Sequence, residues 1–90
     1  MALLDLLGRR WTLRVLWELR TPAASFRDLQ ARCDGMSSSV LSARLTELRE
    51  AGAVSAGEDG GGYALTTEGQ KLLDALAPLD AWAKRWARRG

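Results

Sequence analysis

The sequence predicts an α+β fold that is mostly helical and contains a single two-stranded β-hairpin. Apolar residues recur at helical spacing through most of the chain. Between about residues 54 and 65 this periodicity gives way to two short β-type runs around a glycine-rich connection, and helical spacing then returns. Ninety residues suit one compact domain, so we expect residues 1–90 to fold together.

The N-terminal third of the chain predicts a helix preceded by a shorter apolar segment. Residues 3–7 are rich in leucine, and Gly8 is expected to break or bend the chain after them. Residues 11–19 follow with a broad amphipathic pattern that ends before Pro22, because a residue that precedes proline avoids the helical region. The stripe that we expect to be buried consists of Trp11, Leu13, Val15, Leu16, Trp17 and Leu19.

Two further helices are predicted close together in sequence. Ser25 is expected to cap a short helix that Asp34–Gly35 stops, and Ser37 to cap the next one. That helix should extend over residues 38–51, with Gly52 following in the left-handed conformation. A glycine-containing turn of about three residues between two helices is helix-turn-helix spacing. The predicted core stripe of the second helix is Leu41, Leu45 and Leu48.

The last third of the chain predicts a hairpin at about residues 54–65 and a C-terminal helix at about residues 67–88. The hairpin connection, residues 58–62, begins with two acidic residues and ends with three glycines. Thr66 is expected to cap the helix, and Pro78 to end or kink it. A hairpin directly after a helix-turn-helix is a wing. The predicted architecture is therefore a winged helix-turn-helix.

Composition excludes several classes of function. The apolar fraction of 47% and charged fraction of 27% are those of an ordinary globular protein, and the net charge is +2. No apolar run approaches the ~20 residues of a membrane span, and no signal peptide is recognisable, so we expect a cytoplasmic protein. With one cysteine and no histidine, a Cys/His zinc site and Ser-His or Cys-His catalysis lack their groups. We expect no enzyme, catalytic residue, metal or cofactor.

Cys33 shares the apolar face of its short helix with Phe26 and Leu29. A lone cysteine in such a position is usually a small buried hydrophobe. We expect that role for Cys33 rather than that of a redox sensor, because no neighbouring pattern suggests a lowered thiol pKa.

The second helix of the helix-turn-helix carries a small, hydroxylated face opposite its core stripe. Ser and Thr hydroxyls can bond base edges in a major groove, and an alanine can contact a thymine methyl. The free N–H groups of the first turn suit a phosphate, as do the flanking arginines. A solvated, capped helix looks much the same, so these residues alone leave DNA binding open. The candidate DNA-binding residues are Ser37, Ser38, Ser39, Ser42, Ala43, Arg44, Thr46 and Arg49.

The terminal apolar segments are the predicted dimer interface. Trp82 and Trp86, spaced i and i+4, form a large apolar stripe on the last helix. The stripe could pack on the domain's own core, but Trp11, Trp17 and Phe26 are expected to fill that core. We therefore favour a second subunit, because interface centres are rich in aromatic residues. The candidate interface residues are Leu3, Leu4, Leu7, Leu76, Leu79, Trp82 and Trp86.

A series of motifs, in the same order along the chain, resembles HxlR-type regulators of the MarR-like winged-helix superfamily. The Leu-Gly-Arg-Arg-Trp-Thr stretch is similar to their Ile-Gly-Gly-Lys-Trp-Thr opening helix. Gly-Met-Ser-Ser-Ser-Val-Leu-Ser-Ala-Arg-Leu-Thr-Glu-Leu resembles their recognition helix, and Tyr-Ala-Leu-Thr-Thr-Glu-Gly matches Tyr-x-Leu-Thr-x-x-Gly. The similar segments are residues 4–13, 25–29, 35–48, 51–54 and 63–69.

The resemblance implies a bacterial transcription regulator that binds double-stranded operator DNA as a homodimer, with terminal dimerisation helices and no assigned effector. Two recognition helices would then lie about 34 Å apart on a near-palindromic site. The chain departs from the family pattern in two places: Ser39 is neutral where a basic residue is common, and the short wing is acidic at Glu58–Asp59. These departures support an alternative hypothesis, a winged-helix protein–protein interaction module without DNA binding.

Overall fold

The computed structural model describes residues 2–9, 11–23, 25–57 and 61–89, with backbone only for residues 2–4 and 89. Within them the chain forms five helices and one antiparallel hairpin, in the order predicted for a winged helix-turn-helix. The elements are α1 (Ala2–Gly8), α2 (Thr12–Glu18), α3 (Phe26–Arg32), α4 (Ser38–Glu50), β1 (Val54–Ala56), β2 (Tyr63–Leu65) and α5 (Thr67–Arg89).

The core lies where α2, α3, α4 and β1 meet. The predicted stripe of α4 is confirmed, since Leu41, Leu45 and Leu48 are all buried. Leu76 of α5 and Phe26 of α3 pack against this core from its edges and are half-buried. The remaining buried apolar side chains are Val15, Leu16, Leu19, Ala23, Leu29, Cys33, Met36, Ala53 and Val54.

The predicted helix caps are confirmed. The hydroxyl oxygen of Ser25 accepts a hydrogen bond from the Asp28 amide at 3.0 Å, and that of Ser37 accepts from Val40 at 3.2 Å. Each hydroxyl satisfies one of the amides that a helix N-terminus leaves without an intrahelical partner. After α4, Gly52 adopts a left-handed φ of 80°, as the sequence predicts.

The start of α2 differs from the prediction by one residue, for a backbone reason. Trp11 was expected to begin this helix, but it precedes it in the left-handed region with φ 77°. This conformation is uncommon outside glycine and typically costs about 1–3 kcal/mol. The break predicted at Gly8 is confirmed, because α1 ends there and α2 begins at Thr12.

The prediction that Leu13 and Trp17 belong to a buried stripe is wrong. Their side chains are 43% and 40% exposed, respectively. A seven-residue helix buries one face, and in α2 Thr12, Val15 and Leu16 occupy it. Leu13 and Trp17 are spaced i and i+4, so they share an adjacent face that points away from the core.

Pro78 does not end the last helix, which continues without interruption from Thr67 to Arg89. Proline removes one backbone N–H and therefore the hydrogen bond that the carbonyl of Asp74 would otherwise accept. Asp74 and residues 77–82 are exposed, so water can reach the released carbonyl. The expectation that the helix ends here is thus wrong.

A short β-bridge joins the connection between α2 and α3 to the wing. Ala23 and Tyr63 exchange two backbone hydrogen bonds, each 2.9 Å long. Tyr63 pairs with Ala56 at the end of the strands next to the hairpin connection, so the bridge holds this end of β2 against the helix-turn-helix. Nothing in the sequence pattern around Ala23 predicts it.

Arg32, the last residue of α3, stabilises the turn between α2 and α3. Its guanidinium donates to the carbonyls of Glu18, Thr21 and Pro22, the last at 3.1 Å. Lysine keeps the charge but not the planar donor fork. Arg32→Lys is therefore expected to lower the free energy of unfolding by about 1–2 kcal/mol, measured by urea denaturation.

Arg27→Lys is the matched control for this prediction. Arg27 lies on the same helix, is exposed, and has no side-chain hydrogen bond to any described residue. Its replacement should change stability by less than about 0.5 kcal/mol. Equal effects of the two substitutions would refute a structural role for the Arg32 guanidinium.

Candidate nucleic-acid interface

A tight turn sets the angle between α3 and α4. Gly35 has a left-handed φ of 86°, and the Met36 amide donates to the Cys33 carbonyl at 3.0 Å. Met36 is 5% exposed, so it anchors the turn in the core. Ser37 then caps α4. The two helices are held as a helix-turn-helix with the N-terminal half of α4 facing outward.

The structure exposes most of the side chains predicted to contact DNA. Ser39, Ser42, Thr46 and Arg49 are exposed and spaced i, i+3, i+7 and i+10, so they form one face of α4. Ala43 is half-buried beside them. The other exposed members of the predicted set are Ser37 and Ser38 at the start of the helix.

Arg44 differs from the rest of the predicted set. Its side chain is only 15% exposed, and its Nη2 lies 2.9 Å from Oε1 of Glu47. The other carboxylate oxygen of Glu47 lies 2.9 Å from Nε of Arg9, in the connection between α1 and α2. The second contact is an ion pair without an aligned hydrogen bond, since Glu47 Oε2 is buried and accepts none. Glu47 thus bridges two arginines that are 35 residues apart.

Arg49 stands beside the wing. Together with Thr46 and Glu50 it lines one wall of an open cleft of about 440 Å³, and β1 forms the other wall. The strands pair in antiparallel register, and the Gly57 amide donates to the Gly62 carbonyl at 3.0 Å beyond their ends. The predicted acidic tip, Glu58–Asp59, lies outside the described residues.

A second surface of the domain is apolar and exposed. Leu79, Trp82 and Trp86 are 53–60% exposed, and the two indole rings stack with centroids 6.5 Å apart. Leu13 and Trp17 of α2, which were expected in the core, extend this surface across a groove of about 400 Å³ between α2 and α5. Their i, i+4 spacing was visible in the sequence, but which face α2 buries was not.

The other predicted interface residues have different environments. Leu7 and Leu76 are half-buried against the domain's own core. The side chains of Leu3 and Leu4 lie outside the described residues, although both positions belong to α1.

Cys33 is buried, as expected for a small core residue. Burial raises the pKa of its thiol, and the nearby Glu18 carboxylate acts in the same direction. The thiolate, which is the reactive form, is therefore disfavoured. Among the described residues, no three acidic or cysteine side chains are grouped as metal ligands, and no helix has the length and apolarity to cross a membrane.

The exposed face of α4, the tight turn before it and the hairpin after it define a winged helix-turn-helix DNA-binding domain. Residues 6–90 match the family described as HxlR-like helix-turn-helix. The chain belongs to this family of transcriptional regulators, as its motifs indicate.

Relatives and solved structures agree with this assignment. The chain is 28% identical to an uncharacterised HTH-type transcriptional regulator of Methanocaldococcus jannaschii, over 96% of this chain and 83% of that protein. It is 30% identical to YvaP, another uncharacterised HTH-type transcriptional regulator, from Bacillus subtilis, over 91% and 81% of the two chains. The structure of quinone-bound YodB from Bacillus subtilis superposes with a TM-score of 0.84, at 27% identity and 93% coverage of both chains.

Proposed function

We propose that this protein is a sequence-specific transcription regulator that binds a near-palindromic operator as a homodimer. The observation that carries the proposal is the exposed, hydroxylated face of α4 in a winged helix-turn-helix of the HxlR-like family. Small side chains let the helix approach base edges closely, and hydroxyls both donate and accept hydrogen bonds there.

Individual side chains would contribute in different ways. Ser38, Ser39 and Ser42 are on the first two turns of α4, where a recognition helix contacts base edges. Ala43, beside them, would meet a thymine methyl. Arg49, at the far end of the helix, would bind a backbone phosphate and so add affinity without adding sequence preference.

The dimer would form through the exposed apolar surface of α5. Trp82 and Trp86 present stacked rings, and their side chains are 53% and 60% exposed. Large aromatic surfaces of this kind are enriched at the centres of subunit interfaces. If the two-fold axis of this dimer coincides with that of a near-palindromic operator, the two copies of α4 contact equivalent half-sites.

Selection of bound sequences from a random duplex pool, followed by a salt titration, tests the proposal. We expect enrichment of a two-fold symmetric sequence, and an affinity that falls linearly with salt on logarithmic axes. Arg49→Gln should weaken binding to selected and random duplexes alike. It should also reduce the slope of log affinity against log salt by about 1. Ser42→Ala should instead change the selected sequence.

Two outcomes would refute the proposal. The absence of binding to any duplex at low salt would favour the interaction module, with α4 no longer used for DNA. Binding that is equally strong for all sequences would refute sequence-specific regulation while leaving DNA binding intact.

A further inference from the structure

The cluster formed by Arg9, Glu47 and Arg44 lies at the flank of α4. It contains two positive charges and one negative charge. Two guanidinium groups share one carboxylate, with Arg9 Nε and Arg44 Nη2 each 2.9 Å from it. Their local net charge is +1 rather than +2. Glu47 therefore neutralises half of the positive charge that the two arginines could offer to DNA.

The cluster can exchange its carboxylate for another anion. Arg9 is 55% exposed, so an oxygen from outside can reach it. Nε of Arg44 is buried and donates no hydrogen bond, so Glu47 holds this guanidinium through Nη2 alone. A phosphate oxygen is a negatively charged acceptor like a carboxylate oxygen, and the guanidinium of arginine donates to both in similar geometry.

We infer that Glu47 is a positioning residue that holds Arg9 and Arg44 while the domain is free, and that DNA phosphates replace its carboxylate on binding. This inference rests on the proposed function. Glu47 then lowers the affinity for all duplexes and the steepness of the salt dependence, because part of each arginine–phosphate contact is offset by a lost ion pair. The residue acts through the arginines and reads no base.

Glu47→Gln tests the inference, because it removes the charge and keeps the shape. The variant should bind both random and selected duplexes roughly fivefold more tightly at about 0.1 M salt, since two partly exposed ion pairs no longer compete. Its logarithmic salt slope should be steeper than that of the wild type by up to about 1, because in the wild type the displaced carboxylate stays beside the phosphates and offsets about one released counterion. Fluorescence anisotropy over a salt series measures both.

Glu50→Gln is the matched control. Glu50 lies three residues further along α4, is exposed, and has no ion-pair partner among the described residues. Its replacement changes the net charge equally but frees no arginine. We expect less than a twofold gain and little change in slope.

Further variants test whether the gain in affinity comes from the two arginines, rather than from the change in net charge or from altered folding. Adding Arg9→Gln and Arg44→Gln to Glu47→Gln should abolish the gain. If Glu47→Gln melts early by circular dichroism, Glu47→Asp serves instead: its shorter side chain cannot reach both arginines and should give an intermediate gain.

The outcomes are distinct from those of the proposed function. Equal behaviour of Glu47→Gln and Glu50→Gln, or weaker binding by a folded Glu47→Gln, overturns the inference while leaving DNA binding by the wild type established. If the wild type binds no duplex at low salt, the proposed function fails; binding gained by Glu47→Gln would then still support the cluster's role, and no binding by either would overturn it.

Discussion

Gly69→Ala is expected to lower the free energy of unfolding by about 3 kcal/mol or more, which is a large part of the stability of a small domain. A Cβ at this position would lie 1.9 Å from the carbonyl oxygen of Ala53 and 2.9 Å from its carbonyl carbon. Both are backbone atoms and cannot rotate away. The first turn of α5 would have to separate from the residues that lead into β1.

The contacts around Gly69 explain why that separation is costly. The Thr66 hydroxyl accepts from the Gly69 amide at 3.0 Å and donates to the Gly52 carbonyl at 2.5 Å. The Thr66 amide donates to Ala53, also at 3.0 Å. One displacement would thus strain the cap of α5 and its attachment to the end of α4 together.

Gly8→Ala is the control for this prediction. A Cβ on Gly8 meets nothing within 4 Å, and Gly8 is helical. Alanine there should leave stability unchanged or raise it by up to about 1 kcal/mol. Guanidinium denaturation followed by circular dichroism compares the two variants. A Gly69→Ala protein within about 1 kcal/mol of the wild type would contradict the close contact between α5 and Ala53.

The local parts of this fold could be predicted from the sequence because their causes are local. Ser25, Ser37 and Thr66 cap helices through amides only three residues away, and Gly52 supplies a left-handed residue at a helix end. The order of these elements predicted the winged helix-turn-helix; the resemblance to HxlR-type regulators added the family, which the family match confirms. The exposed serine face of α4 follows from the same helical periodicity.

The parts that could not be predicted depend on which element packs against which. Helical spacing places Trp17 on a face of α2 but does not say that α3 and α4 cover a different face. The ion pair between Arg9 and Glu47 joins positions 38 residues apart, beyond any local pattern. At Pro78 the general rule against proline inside a helix did not hold, on an exposed part of α5.

Replacing Trp82 and Trp86 together by serine is expected to convert the proposed dimer to a monomer and to weaken binding to a two-fold symmetric site by about 100-fold. In the dimer, binding of one α4 to its half-site holds the second α4 beside the other half-site. Separate monomers lose this advantage, even though each α4 is unchanged. The tryptophans are 53% and 60% exposed, so their loss should hardly affect the domain's own core.

The controls distinguish lost dimerisation from lost folding. Ala81→Ser places a serine on an exposed position of α5 away from the tryptophan face and should leave both the dimer and DNA affinity intact. Light scattering at tens of micromolar gives the mass, and anisotropy on full sites and half-sites gives the affinities. The tryptophan variant should lose affinity for the full site only, because a half-site never uses the second subunit. A monomeric wild type would contradict dimerisation through α5. So would a tryptophan variant whose affinities for the full site and the half-site fall equally.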